Sequence, residues 1–432
     1  MSVIETRYRT EMADVFSEEN KIRKWAEVEL ALAKAHAKLG NIPKEAVPAI
    51  EKAVKNISLE RVNEIEKETH HDLMALVKAI AEKSGRYGEY VHLGATSYDI
   101  EDTATALIFR EAFDLIEKRM NALGKELKAK ALRYKNSICV GRTHGQHAIP
   151  TTIGMKFALY YADNKRNLER LREVRRRVEV GKIRGAVGNY ASFETFGFEK
   201  VEELVLKELK LGKADVSNQI IQRDVHASAL FFLALVASSL EKIAKEIRNL
   251  SRTEIGEWFE PFGKKQVGSS TMPQKRNPHK SERICSLARV VRANVQVALE
   301  NIALEHERDL TNSANERIIW PTSFCTTDYM LKEMIGIISG LEIDEKRARE
   351  NVELTKGGVY AERLMLALSK KLGRQRSHEI VRQLTLSGKG KDLREIFEKS
   401  EYGKMLEKKE IERIFNTPYI GKAAEIVEKV CT

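Results

Sequence analysis

GSSTMPQKRNP, running from Gly268 to Pro278, decides how the rest of this chain is read. Pro273 and Pro278 lack a backbone donor and bar the residues before them from helical angles, so with Gly263 and Gly268 close by the segment is a loop. It does not have the composition of a linker, which would be built from Gly/Ser or charge repeats. Hydroxyls (Ser269, Ser270, Thr271), amides (Gln274, Asn277) and cations (Lys275, Arg276) share one short segment. Such a set can hold a carboxylate or a phosphate and handle a proton.

From Lys213 to Ile255, and again from His279 to Trp320, there is neither glycine nor proline. The loop is therefore expected to join two helical rods of roughly 42 residues, about 60 Å apiece. Three of the eight prolines, Pro261, Pro273 and Pro278, fall within that connection. A reactive loop between rigid rods has the form of an active-site lid, against which stands the plainer reading of an interhelical turn.

A length of 432 residues allows two to three domains and an ample core. Apolar residues make up 42% and charged residues 32%, with proline and glycine scarce, which describes a helix-dominated globular chain. The net charge of +11 permits either a nucleic-acid binder or an enzyme for anionic metabolites. The basic run RLREVRRRVEV, Arg170 to Val180, is interleaved with Leu171, Val174 and Val178 at helical spacing and has no aromatics for stacking on bases. It reads as the wet face of a packed helix, so no nucleic-acid partner is expected. MSVIETRYRT is polar from the start, and the longest apolar run, Ala229 to Leu240, is shorter than the roughly 20 residues that cross a bilayer. No membrane partner is expected, and that run reads as a helix buried on all sides. Cys139, Cys285, Cys325 and Cys431 lie far apart with no metal-ligand or disulfide spacing, as reduced thiols in the cytoplasm would.

Ser17 starts an amphipathic helix in which Ile22, Trp25, Val28, Leu32, Ala35 and Leu39 recur every three or four residues, and Gly40 stops it. THHD, Thr69 to Asp72, leads into another helix, so both histidines are placed at a helix start, where backbone N–H groups favour anions. A domain boundary is expected near HLGATSYD, His92 to Asp99, and a second near Ile343, where the composition shifts to short charged helices. The three segments are 1–95, 96–343 and 344–432. GRTHGQHAIP reads as a short break between helices, a further helix is expected from about Ser323 to Ser339, and no strand-like alternation persists.

Each inter-helix segment carries an unusual polar set: THHD, HLGATSYD, GRTHGQHA, the QRD of Gln222 to Asp224, GSSTMPQKRNP and the SANER of Ser313 to Arg317. His144 and His147 are three apart, but no carboxylate or cysteine completes a ligand set, so no metal is expected. His70 and His71 are adjacent, which on a helix turns them about 100° apart, and a simple capping or surface role competes for His70.

Taken together, these segments resemble the fumarase/aspartase superfamily, whose signature GSSxMPxKxNP is matched without a gap from Gly268 to Pro278. Within it the chain looks like the adenylosuccinate lyases, because TRYRTEM, THHD, TSYD, GRTHGQHA, IIQRD and SANERI fall in that family's order. The resemblance spans roughly Arg7 to Pro321. It implies an all-α, three-domain fold whose long central bundles merge in a homotetramer, with active sites composed of loops from three subunits. Siblings such as argininosuccinate lyase, aspartase and fumarase share the signature, and a helical scaffold or nucleic-acid binder is the alternative from another class.

The implied reaction is a non-hydrolytic elimination of fumarate from adenylosuccinate and from succinylaminoimidazole carboxamide ribotide, with no cofactor and no metal. It needs a base for a weakly acidic C–H and an acid for the departing nitrogen. By resemblance the base is Ser269 and the acid His144. Lys275 and the N–H groups of the following helix would stabilise the serine alkoxide. His71 would hydrogen-bond a substrate carboxylate or phosphate, with His70 and Asp72 beside it. Arg7, Tyr8, Ser313 and Arg317 match phosphate-contacting positions; Thr96, Ser97, Gln222, Ser270, Lys275 and Asn277 match succinyl-contacting ones, with Arg276 a further cation in the loop. The chain departs from many relatives at Gln274, where they carry His, and at His70, where they carry Arg or Lys.

Overall fold

The computed structural model describes residues 4, 6–263, 268, 270–272, 274–388 and 390–432. Helices dominate. Ser17 accepts a hydrogen bond from the Asn20 N–H and so opens α1 (Glu18–Leu39), and Gly40, at φ 79°, closes it with a left-handed cap. α2 (Ala46–Lys55), α3 (Leu59–Thr69) and α4 (Asp72–Ser84) follow. The long α5 (Ser97–Arg133) leads to a hairpin of β1 (Ile138–Thr143) and β2 (Gln146–Thr152). After it come α6 (Ile153–Val178), α7 (Glu199–Leu209), α8 (Arg223–Leu250), α9 (His279–Glu300) and α10 (Ser313–Gly340). Six shorter helices between Glu345 and Cys431 complete the chain.

The chain forms two compact units. The first comprises 1–121, 166–240 and 284–333, the second 122–165, 241–283 and 334–432, so α5, α6, α8, α9 and α10 each contribute to both. In the first unit the apolar face of α1 packs against α2, α4 and α7, and Trp25, Leu32, Ile50, Leu76, Leu107 and Phe193 belong to one buried cluster. In the second, Val140 of β1 joins Leu364, Leu368, Phe397 and Ile414 in a separate core.

Five expectations change. GRTHGQHAIP is not a bare break but an antiparallel hairpin, with Ile138 facing Thr152 and Thr143 facing Gln146. Glycine and proline within it hide the alternation, and Gly141 falls where the register shifts between Val140 and Arg142, as at a bulge. The first rod begins only at Arg223, because Asn218 caps the Ile220 N–H and buried Asp102 takes the Ile221 N–H. The second rod ends at Glu300. Asp309 accepts from the backbone of Glu305 and Thr311, and this competition for N–H groups breaks the helix without any glycine or proline. A new helix then starts at Ser313 and carries Pro321 inside it, so the helix expected from Ser323 begins ten residues earlier. Finally, α8 is not covered on all sides: Phe231 is 56% exposed. α8 is long and apolar enough to cross a bilayer, a property that the buried helix of a protein core shares, and 67% of its most apolar window is buried within the chain.

Candidate active site

One cleft of about 470 Å³ in the first unit gathers seven of the expected residues: His70, His71, Asp72, Thr96, Ser97, Ser313 and Arg317. They arrive from three stretches of sequence, and each sits at or near a helix terminus. His70, at φ 51°, is the left-handed C-cap of α3, whereas extended His71 is the N-cap of α4 and its Nδ1 accepts the Met74 N–H at 3.4 Å. The two histidines thus end one helix and begin the next, rather than both lying at a start. Because Nδ1 of His71 is an acceptor, its proton is on Nε2, which is left to donate to a ligand.

Asp72 and Arg317 face each other at 2.7 Å, and Asp72 also accepts the Leu73 N–H at 2.8 Å. Burial opposes ionisation of Asp72, but the hydrogen bond and charge of Arg317 outweigh it and hold the carboxyl below its usual range. Ser313 opens α10 and accepts a bond from the Tyr98 hydroxyl at 3.4 Å. Thr96 immediately precedes α5, and its N–H is held by Asp99 at 3.0 Å. Asp99 is fully buried and also accepts from Lys182 Nζ (2.7 Å), Arg184 N (2.9 Å) and Gly185 N (2.9 Å). A buried ion pair therefore fixes the turn that presents Thr96 and Ser97.

Gln222 lies exposed just before α8, outside the cleft lining. Its neighbour Arg223 is buried and reaches two carboxylates, Asp102 at 2.9 and 3.0 Å and Glu316 at 2.9 Å, so α5, α8 and α10 are tied where the polar segments begin. Arg7 is exposed, and Tyr8 rests its ring 4.9 Å from that of Tyr329; neither lines the cleft.

Sequence reasoning missed two charged residues here. Glu101 lines the cleft one turn beyond Ser97. Arg308 lies over the Tyr98 ring at 4.0 Å and donates from Nη1 to Asn312 at 2.7 Å, while its Nε and Nη2 are buried with no partner among the described residues. The signal for Arg308 was available, since a basic residue in HERD stands five positions before Ser313.

In the second unit, His144 and Gly145 form the two-residue loop of the hairpin, at φ 54° and 75°. Positive φ at both positions is what a type I′ turn demands, and it carries the imidazole out to the exposed tip. Arg142, one pair from the turn, ties the hairpin to buried Glu257 at 2.5 Å. His147 pairs across the ladder from Arg142; burial first, then that positive charge, lowers its pKa and keeps the ring neutral. Among the described residues no cluster of three or more His, Cys, Asp or Glu could hold a metal ion.

Ser269 lies outside the described residues. Of the rest of its loop, Ser270 and Lys275 are exposed, and Asn277 Nδ2 donates to the Gly268 carbonyl at 3.0 Å. Arg276 is committed elsewhere, to Glu342 at 2.9 Å and over the rings of Phe259 and Phe262. Glu260 caps the following helix, accepting from the N–H groups of Lys280 (3.2 Å) and Ser281 (2.6 Å).

Comparison with known proteins matches residues 5–293 to a lyase family and residues 357–430 to the C-terminal region of adenylosuccinate lyase. The adenylosuccinate lyase of Pyrococcus abyssi is 54% identical over 99% of this chain and 96% of its own length. The chain belongs to the adenylosuccinate lyase family. Other relatives in that family include the enzyme of Methanocaldococcus jannaschii, 47% identical over 99% of this chain and 94% of its own, and that of Aquifex aeolicus, 45% identical over 99% of both. The mainly helical fold is shared with a fumarate lyase from Mesorhizobium sp. BNC1 (TM-score 0.90, 32% identity, 98% of this chain and 97% of the other). It is shared as well with a 3-carboxy-cis,cis-muconate lactonizing enzyme from Pseudomonas putida (TM-score 0.88, 32% identity, covering 98% and 96%). As an adenylosuccinate lyase, the enzyme breaks the carbon–nitrogen bond of adenylosuccinate and releases fumarate and AMP. It takes a small-molecule substrate.

Proposed function

We propose that elimination runs between Ser269 and His144. Ser269 removes the proton from the carbon beside the succinyl carboxylate, leaving an aci-carboxylate; the carbon–nitrogen bond then breaks, and His144 protonates the departing purine nitrogen. Lys275 stabilises the serine alkoxide; the N–H groups at the start of α9, expected to share that part, are instead taken by Glu260. His144 is suited to its part because an imidazole can give up a proton and this one is exposed, with no hydrogen-bond partner among the described residues. The phosphate lies against Ser313 and Arg317 with Arg7 and Tyr8; the succinyl group meets Thr96, Ser97, Gln222, Ser270, Lys275 and Asn277; His71 hydrogen-bonds one of these oxyanions. What supports this most is the convergence of Asp72, Thr96, Ser97, Ser313 and Arg317 on one cleft.

The same reading covers the parallel cleavage of succinylaminoimidazole carboxamide ribotide, a cytoplasmic setting, the three-domain division at 1–95, 96–343 and 344–432, and a homotetramer whose active sites draw loops from three subunits. Exposed apolar side chains on the long helices, Phe231, Val290, Leu299 and Ile318, favour assembly, since water-facing groups of this size are covered in a bundle shared between chains.

The test is direct. Wild-type protein should convert adenylosuccinate but not argininosuccinate or aspartate, and should sediment at four times 49.1 kDa. Ser269→Ala should bind adenylosuccinate and assemble normally yet not turn over; normal rates would remove Ser269 from its role.

A further inference from the structure

Glu101 stands one helical turn beyond Ser97 on α5, the spacing that puts two side chains on one face. That face borders two spaces. One is the 470 Å³ cleft, and the other is a smaller cavity of about 120 Å³ walled by Phe16, Trp25, Phe109 and Trp320. Glu101 lines both, as do Tyr98, Ser313 and Arg317. Its backbone carbonyl accepts from Thr105 at 2.9 Å, but among the described residues no donor reaches its carboxyl.

The charges around it are mixed. Asp72 of α4, Asp102 of its own helix and Glu18 of α1 are negative; Arg317 of α10, Arg308 of the preceding segment and Lys21 of α1 are positive. The His71 ring and Glu66 border the cleft from the α3–α4 turn. Arg317 donates to Asp72 and Arg308 to Asn312, and among the described residues neither forms an ion pair with Glu101. Burial, then the charges of Asp72 and Asp102, push the Glu101 carboxyl up to about 8 against the pull of the two arginines. An ionised carboxylate here would face an incoming polyanion with one more negative charge, whereas the neutral acid offers an O–H donor.

We propose that Glu101 is a specificity-determining residue of this site: as the neutral acid it donates a hydrogen bond to an oxyanion of the nucleotide seated against Arg317 and Ser313, and once ionised it repels that ligand. The inference rests on the assignment of the cleft to the nucleotide made above.

The experiment measures AMP binding by calorimetry from pH 7 to pH 9.5 for wild type, Glu101→Gln and Arg317→Met. The glutamine keeps the shape and a donor but cannot titrate. Wild-type affinity should fall about tenfold between pH 7 and pH 9, while Glu101→Gln should bind as wild type at pH 7 and lose less than threefold at pH 9. A fall common to wild type and Glu101→Gln, with Arg317→Met weakened at every pH, overturns the role of Glu101 and leaves the cleft assignment standing. A tenfold loss in Glu101→Gln already at pH 7 would show that the carboxylate, not the acid, is used, and also overturns it. Wild-type affinity in Arg317→Met removes the nucleotide from this cleft, and Glu101 with it.

Discussion

Arg317 Nη2 and Asp72 Oδ2 meet at 2.7 Å across 245 residues of sequence, and the arginine side chain remains 56% exposed. The carboxylate holds the guanidinium at the cleft wall and leaves its other N–H groups for a ligand. Charge-assisted bonds of this type are worth about 1.5–3 kcal/mol each. Arg317→Met is therefore expected to raise KM for adenylosuccinate about 10- to 100-fold with a smaller change in kcat, and Asp72→Asn to raise it less. Steady-state kinetics decide this, and an unchanged KM in Arg317→Met would refute it.

The hairpin tip allows chemistry and folding to be separated at one position. Asparagine tolerates the left-handed backbone that His144 adopts, so His144→Asn should keep the turn and lose the imidazole. Turnover should drop by about 10²- to 10⁴-fold with an unchanged melting temperature. Gly145→Val, forced into φ 75°, should show the opposite pattern, melting earlier because a branched side chain there costs on the order of 1–3 kcal/mol.

Lys182 and Asp99 are fully buried at 2.7 Å, so removing one partner strands the other's charge. Lys182→Met is expected to cost about 3–5 kcal/mol in urea unfolding. Lys182→Met combined with Asp99→Asn should recover part of that loss, although asparagine cannot accept from all three N–H groups that Asp99 serves. A double variant less stable than Lys182→Met would show that charge is not what matters at this site.

His226 is stacked on Trp320 and buried beside Arg223; burial first, then that guanidinium, lowers its pKa to about 3. The folded chain keeps the ring neutral while the unfolded chain protonates it below about 6.5. The stability it contributes is thus complete above pH 6.5 and lost as the pH falls from there towards 3, by at most about 1.4 kcal/mol per pH unit. His226→Phe should melt with a shallower dependence on pH between 7 and 5 than wild type, and equal slopes would contradict the argument.

The sequence was most legible where one local rule decides the outcome. Ser17 and Gly40 bound α1 as read, and its apolar positions point into the core. It was least legible where a distant side chain intervenes. Nothing near Ile221 shows that Asp102 will take its N–H, and the turn around Asp309 is built by short polar side chains that a scan for glycine and proline overlooks. Pro321 suggested an end, yet the helix continues through it, giving up the bond to the Arg317 carbonyl. In the site, motif order supplied the residues of the cleft and Arg308 could have been read from its place before Ser313, whereas Glu101 became visible only in the cleft lining.

His71, Ser97, Gln222 and Ser313 all stand at the first turn of a helix or immediately before it, and His144 sits on a tip of two residues. In engineering terms the rods and their endings are separable. A few codons at the ends can be rewritten while the buried carboxylates that hold them, Asp99 beneath Thr96 and Asp102 beneath Ile221, are kept, so that new substrate preferences are within reach of short mutational paths.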